Sequence, residues 1–334
     1  MKKTKMQAVL CQEWGPPEKL CVVEVPSPAL HPSGVRIRIQ AAGINFADLL
    51  LISGQYQEKP AFPFTPGLEV AGFIMECGED VTTLSPGQRV MAVVERGGFA
   101  EEVVAEESSV FQIPDSLDFV HAAGFPVAYG TSYGALAWRA ALKPGETLLV
   151  HGAAGGVGLT AVEIGKAMGA RVIATASSTE KLQVAADHGA DFTINSRKED
   201  IRACVKELTD ERGVDVVYDP VGGPIFDASL RITAWGGRIL LIGFASGKVP
   251  QIPANVLLVK NVAVHGFVWG TYVKRTPEYV RDSFKTLFSW LYSGKLHPHI
   301  STVLPLERTA EALNLLKTRR STGKIVLTLN GGQD

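Results

Sequence analysis

Residues 151–158 (HGAAGGVG) contain four glycines and directly follow the apolar run TLLV. In a strand–turn–helix unit, Gly155 would let the backbone approach a pyrophosphate, and Gly158 would let the helix pack closely on the strand. The free N–H groups and the positive dipole end of that helix would then face the phosphates. The motif therefore predicts a dinucleotide site whose pyrophosphate is held by Ala154, Gly155, Gly156, Val157 and Gly158. The alternative is a turn that is glycine-rich for conformational reasons alone.

The residues about 20 positions further on indicate which dinucleotide is bound. An NAD site places Asp or Glu at the end of the second strand, where the carboxylate holds the ribose and repels a 2′-phosphate. Here Ala176, Ser177 and Ser178 are uncharged, Lys181 lies in the first turn of the next predicted helix, and Arg197 follows the third predicted strand. Hydroxyl groups and cations suit a phosphate. We therefore predict NADPH, with Ser177, Lys181 and Arg197 at the 2′-phosphate; the alternative for the two cations is an ordinary solvated helix face and loop.

Two sequence patterns predict the strands and helices that must position these residues. Residues 1–125 contain short β-like runs between Pro and Gly turns, such as VRIRIQAAG (35–43), and one helical stretch at 45–54. From about residue 128, six apolar strands alternate with helices, which is typical of a doubly wound parallel sheet covered on both faces. The predicted fold class is α/β. The predicted domains are a β-rich domain (1–127), a dinucleotide-binding domain (128–268) and a segment (269–334) that returns to the first domain.

Composition narrows the function classes. The chain has 334 residues, 33 Lys and Arg against 34 Asp and Glu, and a net charge of -1, which favours neither a nucleic-acid nor a membrane-surface partner. No apolar segment approaches the roughly 20 residues of a membrane span. The four cysteines, at 11, 21, 77 and 204, show no zinc-ligand spacing, so no metal site is expected. We expect a soluble cytoplasmic protein, with a mitochondrial location left open.

Several ordered motifs extend over nearly the whole chain. They are GINFADLLLISGQYQEKPAFPFTPGLEVAG (43–72), SPGQRV (85–90), FPVAYGTSYGAL (125–136), KPGETLLVHGAAGGVG (143–158), GGRILLIGFASG (236–247) and STGKIVL (321–327). With them the chain resembles the zinc-free quinone oxidoreductase branch of the medium-chain dehydrogenase/reductase superfamily. The resemblance implies a GroES-like β-rich catalytic domain and a Rossmann domain with a parallel sheet.

The resemblance also bears on the chemistry. Where zinc alcohol dehydrogenases of the superfamily carry their catalytic zinc ligands, this chain has Asn45, Leu68 and Val127. Without a Lewis acid, hydride transfer needs an acceptor that is already electron-poor, such as a quinone or an α,β-unsaturated carbonyl. The resemblance therefore implies a zinc-independent, NADPH-dependent reductase of quinones or enones. The alternatives are an NADPH-binding regulatory or structural protein with negligible turnover and, on weaker grounds, a zinc alcohol dehydrogenase.

The matching positions imply catalytic roles for residues of the first domain. Asn45 and Asp48 are expected near the nicotinamide, and Tyr56 is expected to donate a hydrogen bond or proton to the substrate. Leu50 stands where relatives often have a further aromatic residue. The alternative assignments are a helix cap for Asn45 and a packing role for Tyr56.

Further positions are expected to bind the nicotinamide end of the cofactor. The hydroxyl of Thr131 is expected to approach the ring, and Lys324 is expected near the cofactor. Backbone groups that follow the fifth and sixth strands are expected to hold the carboxamide; these residues are Gly243, Phe244, Ala245, Phe267, Val268 and Trp269. The apolar segment 262–269 also resembles the edge strand through which family members form homodimers.

Overall fold

A computed structural model describes residues 5–329, which fall into two compact units. The β-rich unit comprises residues 5–127, 273–281 and 298–329. The parallel-sheet unit comprises residues 128–272 and 282–297. Each unit has its own sheets and its own cluster of buried apolar side chains.

The elements alternate along the chain much as the hydrophobic pattern predicts. The strands are β1 (Lys5–Leu10), β2 (Cys21–Pro26), β3 (Gly34–Ile44), β4 (Glu69–Cys77), β5 (Arg89–Val93), β6 (Glu102–Glu106), β7 (Val110–Gln112), β8 (Thr147–Val150), β9 (Arg171–Ala176), β10 (Phe192–Asn195), β11 (Val214–Asp219), β12 (Thr233–Leu241), β13 (Ala263–Gly266), β14 (Ile300–Pro305) and β15 (Lys324–Thr328). The α-helices are α1 (Phe46–Ile52), α2 (Phe119–Ala123), α3 (Pro126–Tyr133), α4 (Gly156–Ala167), α5 (Thr179–Asp187), α6 (Ile201–Leu208), α7 (Pro224–Ile232), α8 (Ala254–Lys260), α9 (Trp269–Arg275), α10 (Pro277–Tyr292) and α11 (Thr309–Lys317).

The β-rich unit is built on a mainly antiparallel sheet. Its strand order is β14-β15-β3-β4-β5-β7, and β6 pairs with β3. The alternation in β3 explains its central place, because Val35, Ile37 and Ile39 are fully buried while Arg38 is exposed. This sheet is the platform on which α1 and the ends of β4 and β15 hold their polar side chains.

The parallel-sheet unit has six strands in the order β10-β9-β8-β11-β12-β13, all of them parallel to their neighbours. The order reverses between β8 and β11, which is the topological switch point where doubly wound sheets bind nucleotides. Together with the GroES-like unit, this sheet confirms the predicted α/β fold class.

The structure departs from the predicted segments in two places. Residues 269–272 and 282–297 belong to the parallel-sheet unit, whereas the prediction returned all of 269–334 to the first domain. The reason is aromatic packing: Phe284 contacts Trp269 with ring centroids 6.0 Å apart, and Trp290 contacts Tyr133 at 5.8 Å. In addition, α3 continues into a π-helical turn at Gly134–Arg139. The spacing of apolar residues does not predict such a turn.

Candidate functional site

The glycine-rich loop joins β8 to α4 at the carboxyl edge of the parallel sheet. Gly152 adopts a φ of 57°, and the Gly155 N–H donates to the Gly152 carbonyl at 2.9 Å to close the turn. A methyl group on Gly158 would overlap the Gly152 carbonyl oxygen and lie 3.0 Å from the Cα of Ala153. The first turn of α4 therefore approaches the loop as closely as only glycine permits, and its first N–H groups have no acceptor within the helix. This geometry fits a pyrophosphate.

His151, the first residue of the loop, is a buried residue to which the sequence assigned no role. Its Nδ1 lies 2.9 Å from the Thr175 hydroxyl and its Nε2 lies 2.7 Å from the Ser229 hydroxyl. Because Ser229 donates its own proton to the Ile225 carbonyl, Nε2 must carry the hydrogen and Nδ1 must accept. Burial lowers the pKa of His151 to about 4, so the ring is neutral and fixed beneath the loop.

The ends of β9 and β10 bring the predicted 2′-phosphate residues to one edge. Asn195 is paired with Ala176, so Ser177 and Arg197 follow neighbouring strand ends, and Ser178 caps α5 by accepting from the Lys181 N–H. Arg197 is exposed, and so is Lys198, a second cation that the sequence analysis did not single out. The only indication of Lys198 in the sequence was its position one residue after Arg197. No carboxylate follows β9 directly, so these residues fit a phosphate on the ribose.

The segments expected at the carboxamide also end at this edge. Residues 243–245 follow β12, and the Ala245 N–H donates to the Pro220 carbonyl at 3.0 Å. After β13, Phe267 and Trp269 are each 4% exposed while the side chain of Val268 is half exposed. Thr131 lies on α3 in the same unit and is 8% exposed. The predicted cofactor residues that follow β8, β9, β10, β12 and β13 thus lie at the carboxyl edge of one parallel sheet.

Asn45 and Lys324 belong instead to the β-rich unit, where they form a buried ion-pair cluster with Asp48 and Glu69. The Lys324 ammonium donates to the Ile44 carbonyl at 2.6 Å and to Asn45 Oδ1 at 2.7 Å, and it forms an ion pair with Glu69 Oε1 at 2.7 Å. These three oxygens surround the ammonium. Lys324 is therefore engaged within this cluster, whereas the resemblance implied a contact with the cofactor.

Glu69 is the residue of this cluster that sequence reasoning missed. It is fully buried, its Oε1 accepts from Asn45 Nδ2 at 2.9 Å, and its Oε2 accepts from the Val127 N–H at 2.8 Å. The amide of Asn45 is thereby oriented, with its oxygen on Lys324 and its nitrogen on Glu69. Asn45 is also the N-cap residue of α1, in a capping box with Asp48, whose side chain accepts from the Asn45 N–H. The available signal was a lone glutamate at the start of an apolar strand, which requires a partner when buried.

Asp48 is the partner of Asn45 in this capping box. Its Oδ2 accepts from the Asn45 N–H at 2.8 Å and its Oδ1 accepts from the Gly67 N–H at 3.2 Å. Burial raises the pKa of Asp48 to about 7, against the opposing effects of these hydrogen bonds and of Lys324. Both carboxylate oxygens are thus committed to backbone groups.

Tyr56 lies shortly after α1 and is half-buried against the apolar core of the β-rich unit. Burial raises the pKa of its hydroxyl, and the nearby carboxylates of Glu58 and Asp48 act in the same direction. The phenol is therefore protonated at neutral pH and is chemically able to donate a proton.

The three residues that the resemblance places at zinc-ligand positions have side chains unsuited to that metal. Leu68 and Val127 have no ligand atom, and both ends of the Asn45 amide are bound to Glu69 and Lys324. Among residues 5–329, no three or more His, Cys, Asp or Glu side chains are grouped so that they could hold a metal ion. The same described segment has no helix with the length and apolar character needed to cross a membrane.

Two family models match the chain. The model described as "Alcohol dehydrogenase GroES-like domain" matches residues 31–115, and the model described as "Zinc-binding dehydrogenase" matches residues 156–290. The first lies in the β-rich unit, and the second begins at the first residue of α4.

Individual proteins match over nearly the full length. "Quinone oxidoreductase-like protein 2 homolog" of Nematostella vectensis is 44% identical over 326 residues, which are 96% of this chain and 88% of that protein. "Quinone oxidoreductase-like protein 2" of Mus musculus is 40% identical and covers 97% and 92%. The crystal structure of Escherichia coli quinone oxidoreductase complexed with NADPH has a TM-score of 0.92 and 30% identity, covering 96% of this chain and 99% of that chain. The chain therefore belongs to the quinone oxidoreductase family of the medium-chain dehydrogenase/reductase superfamily.

Proposed function

We propose that this protein is a zinc-independent, NADPH-dependent oxidoreductase that transfers hydride to quinones or α,β-unsaturated carbonyls. The observation that carries the proposal is the glycine loop at the switch point of the parallel sheet, where Gly158 lets the first turn of α4 pack against the loop more closely than any side chain would allow. The likeness to the E. coli quinone oxidoreductase complexed with NADPH supports the same cofactor here. When bound, NADPH supplies the hydride.

The residues of the parallel-sheet unit bind and orient the cofactor in this proposal. The loop of residues 154–158 holds the pyrophosphate through those backbone N–H groups that the turn and the helix leave free, and Ser177, Lys181 and Arg197 hold the 2′-phosphate. Thr131 and the backbone of 243–245 and 267–269 hold the nicotinamide end. His151 keeps the loop in place as a neutral, fully hydrogen-bonded side chain.

The β-rich unit supplies the groups for the substrate. Tyr56 is the proposed proton donor, because the resemblance places it at the substrate and its phenol carries a proton at neutral pH. Asn45 and Asp48 act as positioning residues, since their polar atoms are already bound within the buried ion-pair cluster. Leu68 and Val127 cannot bind zinc, so the acceptor must be activated by its own conjugation. Quinones and enones are conjugated in this way.

Steady-state kinetics with a panel of quinones and enones tests this proposal. We expect NADPH oxidation that depends on the acceptor, persists after dialysis against a zinc chelator, and falls in Tyr56→Phe through kcat rather than through the Kd for NADPH. Tight NADPH binding without turnover on any acceptor would instead favour a regulatory or structural NADPH-binding protein. Stoichiometric zinc that is required for turnover would contradict zinc independence.

The preference for NADPH over NADH is a prediction that can be checked separately. Charge-assisted hydrogen bonds contribute about 1.5–3 kcal/mol each, so Lys181→Ala and Arg197→Ala should each weaken NADPH binding by about tenfold or more. NADH binding should change little, because NADH lacks the 2′-phosphate. Titration of both nucleotides against wild type and both variants measures this, with Lys260→Ala as a control lysine that binds the α7 carbonyls. Equal dissociation constants of wild type for the two nucleotides would contradict the prediction.

We further propose a homodimer formed along β13, as the resemblance implied. In the described sheet, β13 has a paired neighbour on one side only. Beside it, Leu258 and Val259 of α8 are 79% and 77% exposed, which is unusual for adjacent apolar side chains and suits burial against a second copy. Light scattering of wild type and Leu258→Glu should report a dimer and a monomer respectively; a wild-type monomer would contradict the proposal.

A further inference from the structure

Two glycines four residues apart form sockets for the segment that follows β13. The indole of Trp269 lies over Gly130 of α3, where a methyl group would overlap Cε2 and Cζ2 and come within 2.8 Å of Nε1. Ala in place of Gly130 would therefore force the ring to move. The indole of Trp269 fits at this point because Gly130 of the facing helix has no side chain.

The second socket is Gly134, the first residue of the π-helical turn. A methyl group there would lie 2.5 Å from Phe267 Cζ and 2.8 Å from Trp138 Cζ3. The turn is closed by the Ala140 N–H, which donates to the Ala135 carbonyl five residues before it at 2.9 Å. π-helical turns are uncommon and occur frequently at functional sites. The side chains of Phe267 and Trp269, the neighbours of Val268 in the chain, are thus each held in contact with a glycine.

Shape alone determines the position of the indole. Trp269 Nε1 is buried and has no hydrogen-bond partner within residues 5–329. The ring is 4% exposed and meets Phe284 edge to face, with planes at 82°. A buried donor without an acceptor is unfavourable for folding. A phenyl ring would avoid that cost but would bury less apolar surface.

We propose that Gly130 and Gly134 are positioning residues for the nicotinamide end of the cofactor, acting through Trp269 and Phe267 on the backbone of residues 267–269. The inference rests on the proposed function, because it assigns that backbone to the carboxamide. The pyrophosphate and 2′-phosphate contacts lie on other segments of the sheet edge. The two glycines should therefore affect one end of the cofactor and not the other.

The test compares NADPH with 2′,5′-ADP, which lacks the nicotinamide. Gly130→Ala should raise the Kd for NADPH about tenfold and lower kcat about 100-fold, since small misplacements of reacting groups have effects of this size. The Kd for 2′,5′-ADP should stay within about twofold. Adding Trp269→Phe, which removes the overlapping part of the indole, should restore most of the NADPH affinity. Gly270→Ala is the matched control, because no atom lies within 4 Å of its added methyl group.

A second variant keeps the proposal testable if Gly130→Ala does not fold. Trp269→Leu removes the anchor without adding an overlap and should also weaken NADPH but not 2′,5′-ADP. Equal losses for both ligands, or unchanged NADPH binding in Gly130→Ala, would overturn the inference while leaving the proposed function intact. If wild type binds 2′,5′-ADP and NADPH with no turnover, the proposed function fails, and the difference between the two ligands still decides the role of the glycines.

Discussion

Replacing Lys324 by methionine should lower the free energy of unfolding by about 3–5 kcal/mol. The substitution keeps most of the side-chain volume but leaves the fully buried Glu69 carboxylate without its cation. It also removes the donor that fixes Asn45 Oδ1. An uncompensated charge in a low-dielectric interior is among the largest single-residue effects on stability. Urea unfolding followed by circular dichroism measures the loss, taken from the midpoint at constant slope.

A double variant tests whether the unpaired charge on Glu69 causes the loss of stability in Lys324→Met. Lys324→Met with Glu69→Gln removes both charges, and the amide still offers an acceptor to Asn45 or Val127, so more than half of the lost stability should return. Lys59→Met, at an exposed lysine of the same unit, should change stability by no more than about 0.5 kcal/mol. If the double variant is less stable than Lys324→Met, then packing and not charge determines the effect.

Substituting Gly158 by valine should weaken NADPH binding by at least about 100-fold. Even the first methyl group would overlap the Gly152 carbonyl, which is backbone and cannot rotate away. The helix must then retreat from the loop, and its N–H groups would no longer converge on the pyrophosphate. Fluorescence titration with NADPH measures the effect, with the melting temperature recorded alongside.

Gly165→Ala is the control that distinguishes an effect on the glycine-rich loop from a general loss of stability in α4. It lies on the same helix, and its methyl group would meet Leu148 Cδ2 at 2.6 Å, which is the end of a flexible side chain. We expect reduced stability with NADPH affinity within about threefold of wild type. If Gly158→Val binds NADPH normally, the pyrophosphate does not occupy this loop.

Local pattern predicted the strands that carry their own signal, which include those of the parallel sheet, but not β1, β2, β7 or β14. The run TLLV became β8, RVIATA became β9, and the glycine-rich turn between β8 and α4 lies where strand and helix periods change. The alternation in VRIRIQ identified the buried face of β3. The π-helical turn at Gly134–Arg139 could not be predicted, because its geometry depends on Phe267 and Trp138, not on its own sequence.

The side-chain partnerships of the site lie beyond any local pattern. Lys324 is 279 residues after Asn45, so nothing near either residue indicates their contact at 2.7 Å. The resemblance located Asn45, Asp48 and Lys324 as important positions but could not reveal that Glu69 binds Asn45 and Lys324. Sequence identified where chemistry is expected, and only the packing of β3, β4 and β15 shows which atoms are already committed.

The buried carboxyl group of Asp48 makes folding a proton-uptake reaction near neutral pH. In the unfolded chain its pKa returns to about 3.8, whereas in the folded protein burial raises it to about 7. Between these values the native state holds a proton that the unfolded state releases, so stability falls as pH rises, by up to about 1.4 kcal/mol per pH unit, and levels off above pH 7. A mildly acidic medium would therefore stabilise the folded protein through Asp48, and that contribution is lost as the pH rises to 7.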